Sequence, residues 1–509
     1  MPRKIRHATV RLLLPEADTT PKPRRRLDRR FLSVTLDYAC LIGAPWWDGT
    51  RRTKGSFGHS IASPVDLESE RLLRYAQGLA PALLRLGGSE ADRIRYAPDH
   101  ESAGDTGREN VTFRVAPPPG KRSERNFRSL LSRERWDEVC RFARRSGLDL
   151  FVTINAGAGP RDRNGRWDAT NAEALVEYSA RRRDPVSVWE LGNEVNGFAF
   201  IHGWQSRVSA GRYAADFARF HDMIRRHAPT ALTAGPASAY WPLLGEVLPV
   251  IPRFLRRVRR APDVITWHYY PQQSSRGLLR TRRADPFAAL KPRRLNGAAR
   301  WARRVIRHAR RPTNRPEVWL GETGHALYGG EPGVSDRFIA GLWWLDQLGL
   351  TARSGVRLVV RQSLVGGDYG LLDGRTFAPR PDYWNSLLWK RLMGDSVYAA
   401  ECDGEPRLRV YAHDTPDRSG AVSFLLINLD RRAEIRVSLE TGTLGFVPSR
   451  FEVYSVTASG PFAETLTING TPPRIPERRE APPGGASHRP PEEPIAVPSL
   501  SYAFVVAVP

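Results

Sequence analysis

The stretch Val188-Trp189-Glu190-Leu191-Gly192-Asn193-Glu194-Val195-Asn196 reads as a short apolar strand that runs into a glycine and stops at an Asn-Glu pair. A second stretch has the same design: Glu317-Val318-Trp319-Leu320-Gly321-Glu322-Thr323 is apolar, glycine-hinged and closed by a glutamate. Strands that hand polar groups over at their carboxyl ends are the mark of an α/β barrel, whose chemistry sits at that end of the sheet.

Six further stretches extend the pattern. Residues 31–37 (FLSVTLD) alternate apolar and polar and end in Asp37, and residues 81–88 (PALLRLGG) and 148–156 (LDLFVTINA) follow. Beyond the first glutamate come 232–237, 264–270 (VITWHYY) and 357–363 (RLVVRQS). With 187–194 and 317–323 they make eight strands, and helix-like patterns at 67–78, 135–147, 171–182 and 382–393 fall between or after them. Eight strands alternating with helices predict a closed (β/α)8 barrel over 31–395. Residues 97–126, rich in Gly, Pro, Arg and acids, predict an exposed loop on the active-site side. After Gly394 the helices cease, and 407–411, 422–429, 434–439, 450–455, 465–468 and 502–508 alternate as short strands of an antiparallel β-sandwich over 396–509. Residues 7–15 offer that sandwich a strand from the other terminus, with the rest of 1–30 as linker. The Pro-, Gly- and charge-rich segment 471–498 is expected to be a mobile excursion.

Composition narrows the class. With 509 residues and 41% hydrophobic content, the chain can bury a large core and a second, smaller one. It has no apolar run of membrane-spanning length, and residues 1–30 lack the apolar segment of a secretory signal, so a cytoplasmic location is the default expectation. Cys40, Cys140 and Cys402 are odd in number and far apart, which predicts free thiols and no metal cluster. The net charge of +24 invites a nucleic-acid reading. However, the lysines are few (Lys4, Lys22, Lys54, Lys121, Lys291, Lys390) and the arginines are dispersed along solvent-facing helix positions, as arginine-favouring codon usage would scatter them. No nucleic-acid partner is expected; a basic surface that attracts acidic polysaccharide remains open.

Two glutamates ending strands four and seven face each other across a barrel mouth, the arrangement glycoside hydrolysis requires of an acid and a nucleophile. Either alone reads equally well as a solvated strand end. Glu190 sits about 13 Å deeper at about 3.3 Å per residue, and is assigned to the structural part of the barrel. The Asn193 amide is placed to bond a sugar hydroxyl. His268 and Tyr270 share one face of strand six by period two, where Tyr270 could bond Glu322 and hold it ionised while Glu194 stays protonated. An aromatic core strand would explain the same run. Asp37 and Ser89, at or just past strands one and two, are candidate sugar partners or plain caps. Tyr328-Gly329-Gly330 follows strand seven, and paired glycines can offer backbone N–H groups to an anion such as a uronate carboxylate.

The motifs WELGNEVNGF, VITWHYY, VWLGETGHALYGG, SDRFIAGLWWLDQLGL, VVRQSLVGGDYGLLD and PDYWNSLLWKRLMG together resemble the heparanase family of retaining endo- and exo-β-glucuronidases, glycoside hydrolase family 79. The similarity runs from Phe31 to Val508. It implies Glu194 as acid/base and Glu322 as nucleophile, with Asp37, Ser89, Asn196, Tyr270, Gly329, Gly330, Gln362 and Tyr369 around the substrate. It also implies a barrel with a sandwich built from both termini, a glucuronate-containing glycan as substrate, and no metal or cofactor. Two departures from animal heparanase stand out. The loop between Glu322 and Gly329 is one residue longer, and the basic cluster after strand five is here Pro236-Ala-Ser-Ala-Tyr-Trp-Pro242, without charge. Arg276, Arg280, Arg282 and Arg283 follow strand six and could grip a sulfated or carboxylated chain, or coat a loop. A single uncut chain acting as a monomer is expected. The reading from another class is a non-catalytic binder of acidic polymers.

Overall fold

The computed structural model describes residues 4–14, 21–47, 60–98, 127–478 and 480–509; most of the loop expected over 97–126 lies outside them. Eight parallel strands form the centre: β1 (Leu32–Asp37), β2 (Ala82–Gly87), β3 (Leu148–Ile154), β4 (Val186–Leu191), β5 (Leu232–Trp241), β6 (Val264–Tyr269), β7 (Glu317–Thr323) and β8 (Leu358–Arg361). Each pairs with the next, and β8 returns to β1 through Val359 opposite Leu32, so the sheet closes into the (β/α)8 barrel.

Strand bounds show where local chemistry overrides pattern. β7 has the expected limits. β4 stops at Leu191, before Glu194, because Gly192 (φ 76°) and Glu194 (φ 54°) both enter the left-handed region and turn the chain out of the sheet. β5 runs on past 237 to Trp241 and folds back on Gly245–Glu246.

The barrel interior is layered by the two-residue period. Leu83, Phe151, Val188, Ala234, Val264, Trp319, Leu358 and Val360 fill its lower part as one apolar cluster. The next inward positions on β2, β3, β4 and β6 are Arg85, Thr153, Glu190 and Thr266, all buried, so polarity begins one layer below the mouth.

The chain after the barrel forms two packed sheets. One carries Leu408–Asp414, Val422–Asn428, Ser501–Val508 and Arg450–Thr457 in antiparallel order. In the other, the N-terminal strand Lys4–Leu12 lies parallel to Ala433–Leu439 and antiparallel to Ala400–Asp403. The expectation of a mobile excursion over 471–498 is corrected: Ser487–Arg489 pairs with residues 451–453, and Ile495–Val497 pairs with residues 435–437. Ile495 and Val497 alternate into the sandwich core at 4% and 0% exposure, and that burial anchors a segment whose proline and charge content conceal it.

Barrel and sandwich share a continuous core. Helix α1 (Phe338–Ser354) and helix α2 (Pro381–Leu392) lie between them. Phe338 stacks on Tyr502 at 5.6 Å, the Tyr502 hydroxyl reaches Asn385, and Asp346 takes hydrogen bonds from Arg409 and Tyr411, each at 2.6 Å. Both helices are buried nearly all round, which explains their uniformly apolar sequences. Among the described residues no helix is long and apolar enough to cross a membrane. Cys40, Cys140 and Cys402 are free thiols.

Candidate active site

The carboxyl ends of the barrel strands gather the charged residues that the sequence singled out. Period two would leave Glu322 facing outward, since Trp319 points in. Register shifts after Leu320 against β8 and after Trp267 against β6 break that alternation, and bring Glu322 opposite His268. Such irregularities re-aim side chains beside active sites. Glu194 reaches the same space from its left-handed turn, where its amide N–H donates to the Ala237 carbonyl at 2.9 Å. One carboxylate oxygen of Glu194, one of Glu322 and a ring nitrogen of His268 then lie within 4.8 Å of one another.

The two carboxyls have different surroundings. Glu322 accepts from the Tyr270 hydroxyl at 2.7 Å and from Arg85 Nη1 at 2.9 Å. Glu194 meets His268 Nδ1 at 3.2 Å, and burial pushes its carboxyl up to about 7, against a smaller lowering by the Arg85 charge. Its side chain is still 15% open toward the mouth, so solvent and ligand can reach it. Burial drives His268 down to about 4, leaving a neutral imidazole between the two acids.

Arg85 organises the floor, and sequence reading passed over it. Its Nε and Nη2 donate to Glu190 at 3.1 and 2.9 Å, its Nη1 to Glu322 and its Nη2 to Asn193 at 2.9 Å, with the side chain fully buried. Gly87 makes room for it: a Cβ there would lie 2.4 Å from Nη1. At Gly88 (φ 90°) a Cβ would fall 2.0 Å from an oxygen of Asp37. The Gly-Gly that closes strand two is therefore the clearance for a guanidinium on one side and a carboxyl on the other. The missed signal was an arginine at an inward position of an apolar strand, because such a group is buried only with carboxylate partners.

Asp37 caps a short turn by accepting from the Ala39 N–H at 2.9 Å and takes Gln362 Nε2 at 3.0 Å. Burial pushes it up to about 8. Tyr369 is buried nearby, 6.3 Å from Tyr270 ring to ring, and Ser89 opens the turn after Gly88. Asp92, another residue the sequence reading omitted, accepts from the N–H groups of Asn193 and Ala156 at 2.9 and 2.8 Å, fixing the backbone that presents Glu194.

Other candidates are committed to the protein itself. The Asn196 amide bonds the Ala239 carbonyl and N–H and the Val247 carbonyl, tying the loop after β4 to β5 instead of facing the site. The Gly330 N–H donates to the Ala326 carbonyl at 3.1 Å, so it is not held out to an anion. Gly329 is needed for close approach, since a Cβ would lie 2.2 Å from the Trp47 carbonyl. Tyr328 stands at the rim, packed on Trp47 at 4.9 Å, with its hydroxyl donating to the Leu279 carbonyl. Of the loop arginines, Arg276 bonds the Gly330 carbonyl and pairs with Asp368, and Arg282 bonds the Pro271 carbonyl; Arg280 and Arg283 are exposed. A basic cleft of about 580 Å³ opens elsewhere, over the loops after β2, β3 and β4, and is lined by Arg93, Arg128, Arg161, Arg163, Arg207 and Arg212.

Glu194, His268 and Glu322 are close enough to hold one cation. Arg85 opposes it, because its guanidinium already places a full positive charge 2.9 Å from Glu322.

Residues 23–349 match the family model of the glycosyl hydrolase family 79 N-terminal domain. The chain belongs to glycosyl hydrolase family 79. Heparanase-like protein 1 of Arabidopsis thaliana is 32% identical over 82% of this chain and 73% of that protein. Heparanase of Mus musculus is 29% identical over 96% and 91%, and baicalin-beta-D-glucuronidase of Scutellaria baicalensis 26% over 86% and 80%. A GH51 α-L-arabinofuranosidase from Thermotoga petrophila shares the fold, with a TM-score of 0.62 at 14% identity over 98% of this chain and 99% of that one. The family-79 chain is thus a glycoside hydrolase, with its acidic cluster at the end of the barrel where this architecture does chemistry.

Proposed function

We propose that this family-79 hydrolase cleaves β-glucuronidic bonds with retention of configuration, with Glu322 as nucleophile and Glu194 as acid/base. The observation that carries the reading is the carboxylate pair: oxygens within 4.8 Å on the ends of β4 and β7. That suits a retaining pair, about 5 to 5.5 Å apart, and leaves no room for the water an inverting pair holds at about 6.5 to 9.5 Å.

In the first step a Glu322 oxygen bonds to the anomeric carbon as the glycosidic bond breaks, and the departing oxygen takes the proton of Glu194. In the second, water attacks the anomeric carbon, its proton returns to Glu194, and the bond to Glu322 breaks. Burial supports the acid role by keeping Glu194 protonated up to about pH 7. Arg85 and Tyr270 orient Glu322 as an acceptor until it attacks. Asp37, neutral below about pH 8, adds no charge to repel an anionic sugar. The glucuronide class is supported by the relatives, whose names specify heparanase and glucuronidase activity.

The test is hydrolysis of an activated aryl β-glucuronide followed by NMR, with the first-formed product expected to be the β-anomer. Azide separates the two roles. In Glu194→Ala it should accelerate turnover and yield the β-glycosyl azide; in Glu322→Ala it should yield the α-azide from a glycosyl donor of opposite configuration. Full activity in Glu322→Gln, or an α-anomer formed first by the wild type, refutes the assignment.

A further inference from the structure

Four large apolar side chains stand in solvent on two neighbouring loops at the barrel mouth. Leu243 and Leu244, just past β5, are 62% and 61% exposed, and Leu278 and Leu279, in the loop after β6, are 70% and 65% exposed. The loops are tied together and to the site. The Thr281 hydroxyl donates to the Pro242 carbonyl at 3.2 Å, and the Tyr328 hydroxyl to the Leu279 carbonyl at 3.0 Å. Tyr328 in turn lies close enough to Glu194 to feel its charge. Leu243 is also held at φ 71°, a left-handed conformation that costs a residue with a side chain about 1–2 kcal/mol. An apolar tip kept exposed and strained in a chain this rich in arginine is not explained by solubility, and clustered exposed leucines mark a binding surface.

The position of the leucines relative to the acid says which part of a substrate they meet. Glu194 is bonded through its N–H to β5 and through its carboxyl to His268 on β6, so the loops after those two strands flank it. The group that takes the proton of Glu194 departs on this side. The basic cleft lies over the loops after β2 to β4. Three of its arginines are already engaged: Arg93 with Glu90, Arg161 with Asp216, and Arg207 over the Trp204 ring. Charge and apolar surface are therefore segregated on two flanks of the site.

The geometry points to an apolar leaving group: the leucine rim receives the aromatic or alkyl-aromatic aglycone of a small β-glucuronide, in place of a further acidic sugar. This rests on the glucuronidase reading above and specifies the substrate within it. A sulfated or carboxylated sugar would meet four leucines and no cation at their tips, whereas an alkylphenol would bury area worth about 25 cal/mol per Å² on them.

The experiment compares 4-hexylphenyl and 4-methylphenyl β-D-glucuronides, whose phenols are nearly equal in acidity, so that leaving-group chemistry cancels and apolar contact remains. In the wild type kcat/KM should favour the hexyl compound by about 10-fold or more. In Leu244→Ser/Leu279→Ser the ratio should fall to within about threefold of unity, because these exposed side chains hold the alkyl chain and little else. A wild-type ratio near unity, or a ratio unchanged in the double variant, overturns the inference and leaves the glucuronidase reading standing. Hydrolysis of neither compound, with heparosan oligosaccharides inert as well, overturns both. Turnover of heparosan oligosaccharides at a higher kcat/KM than the hexyl compound overturns the inference alone.

Discussion

Replacing Arg85 with methionine isolates the charge that the barrel floor is built around. The substitution keeps an apolar stem of similar reach and removes four hydrogen bonds, two to Glu190, one to Glu322 and one to Asn193. Both carboxylates stay buried, with side-chain exposures of 0% and 7%. Removing one partner of a buried ion pair costs about 3–5 kcal/mol, because the remaining charge is left without compensation. Two carboxylates share this guanidinium, so the loss is expected at the upper end, about 5 kcal/mol at neutral pH. The sign with pH follows from linkage. In the variant, protonation relieves the two carboxyls, so the folded state holds protons that the unfolded state has lost above about pH 4.3. The deficit relative to wild type should therefore be small at pH 4 and grow as pH rises. Thermal melts of both proteins at pH 4.5, 6 and 8 measure it, and Glu190→Gln/Arg85→Met should recover part of the loss at pH 8. A variant that melts with wild type at pH 8, or whose deficit is largest at pH 4.5, would refute this account of the floor.

The basic limb of the pH profile should follow Glu194. With its carboxyl at about 7, kcat/KM should fall about tenfold per unit above pH 7, and Glu194→Gln should flatten that limb for a fluoride leaving group that needs no proton. Gly88→Ala should abolish activity even where it folds, since its φ of 90° and a Cβ 2.0 Å from the Asp37 carboxyl displace Asp37 from Gln362. Activity and a melt on the purified variant check this. Val497→Asp should destabilise the chain by about 3 kcal/mol or more by placing a charge in the sandwich core; an unchanged melting temperature would show that 495–497 is not anchored there.

Most of the barrel was legible because its strands are apolar, β-branched and bounded by glycine or proline, so that the two-residue period and the strand count both speak. β7 has the limits the pattern assigns. What failed was geometry that pattern cannot carry. Glu194 was read as the last residue of a strand, yet it sits beyond it in a left-handed turn, a conformation fixed by the Ala237 carbonyl and by Asp92 holding the Asn193 N–H. Asn196 was read as a substrate ligand because amides near an acid usually meet sugar, and it is spent on the β5 backbone. The segment 471–498 was read as mobile on composition, although Ile495 and Val497 alone suffice to pin it.

Glu190 carries the physical lesson of the site. Depth along the strand marks it as structural, and depth is what makes it matter to Glu322. A lone buried arginine would be drawn wholly onto the nearest carboxylate, and Glu322 would then be half of a tight ion pair and a poor nucleophile. With Glu190 taking Nε and Nη2 from below, Arg85 offers Glu322 a single Nη1 contact. Glu322 therefore keeps one oxygen for Tyr270, and the Arg85 bond need not break for it to turn on an anomeric carbon. Charge balance supports the same view: one guanidinium facing two carboxylates leaves one net negative charge in the floor, the charge an oxocarbenium-like transition state attracts. Glu190→Gln should therefore tighten the Arg85–Glu322 pair and lower kcat more than KM, with little change in melting temperature. An equal loss through KM alone would place Glu190 outside the chemistry.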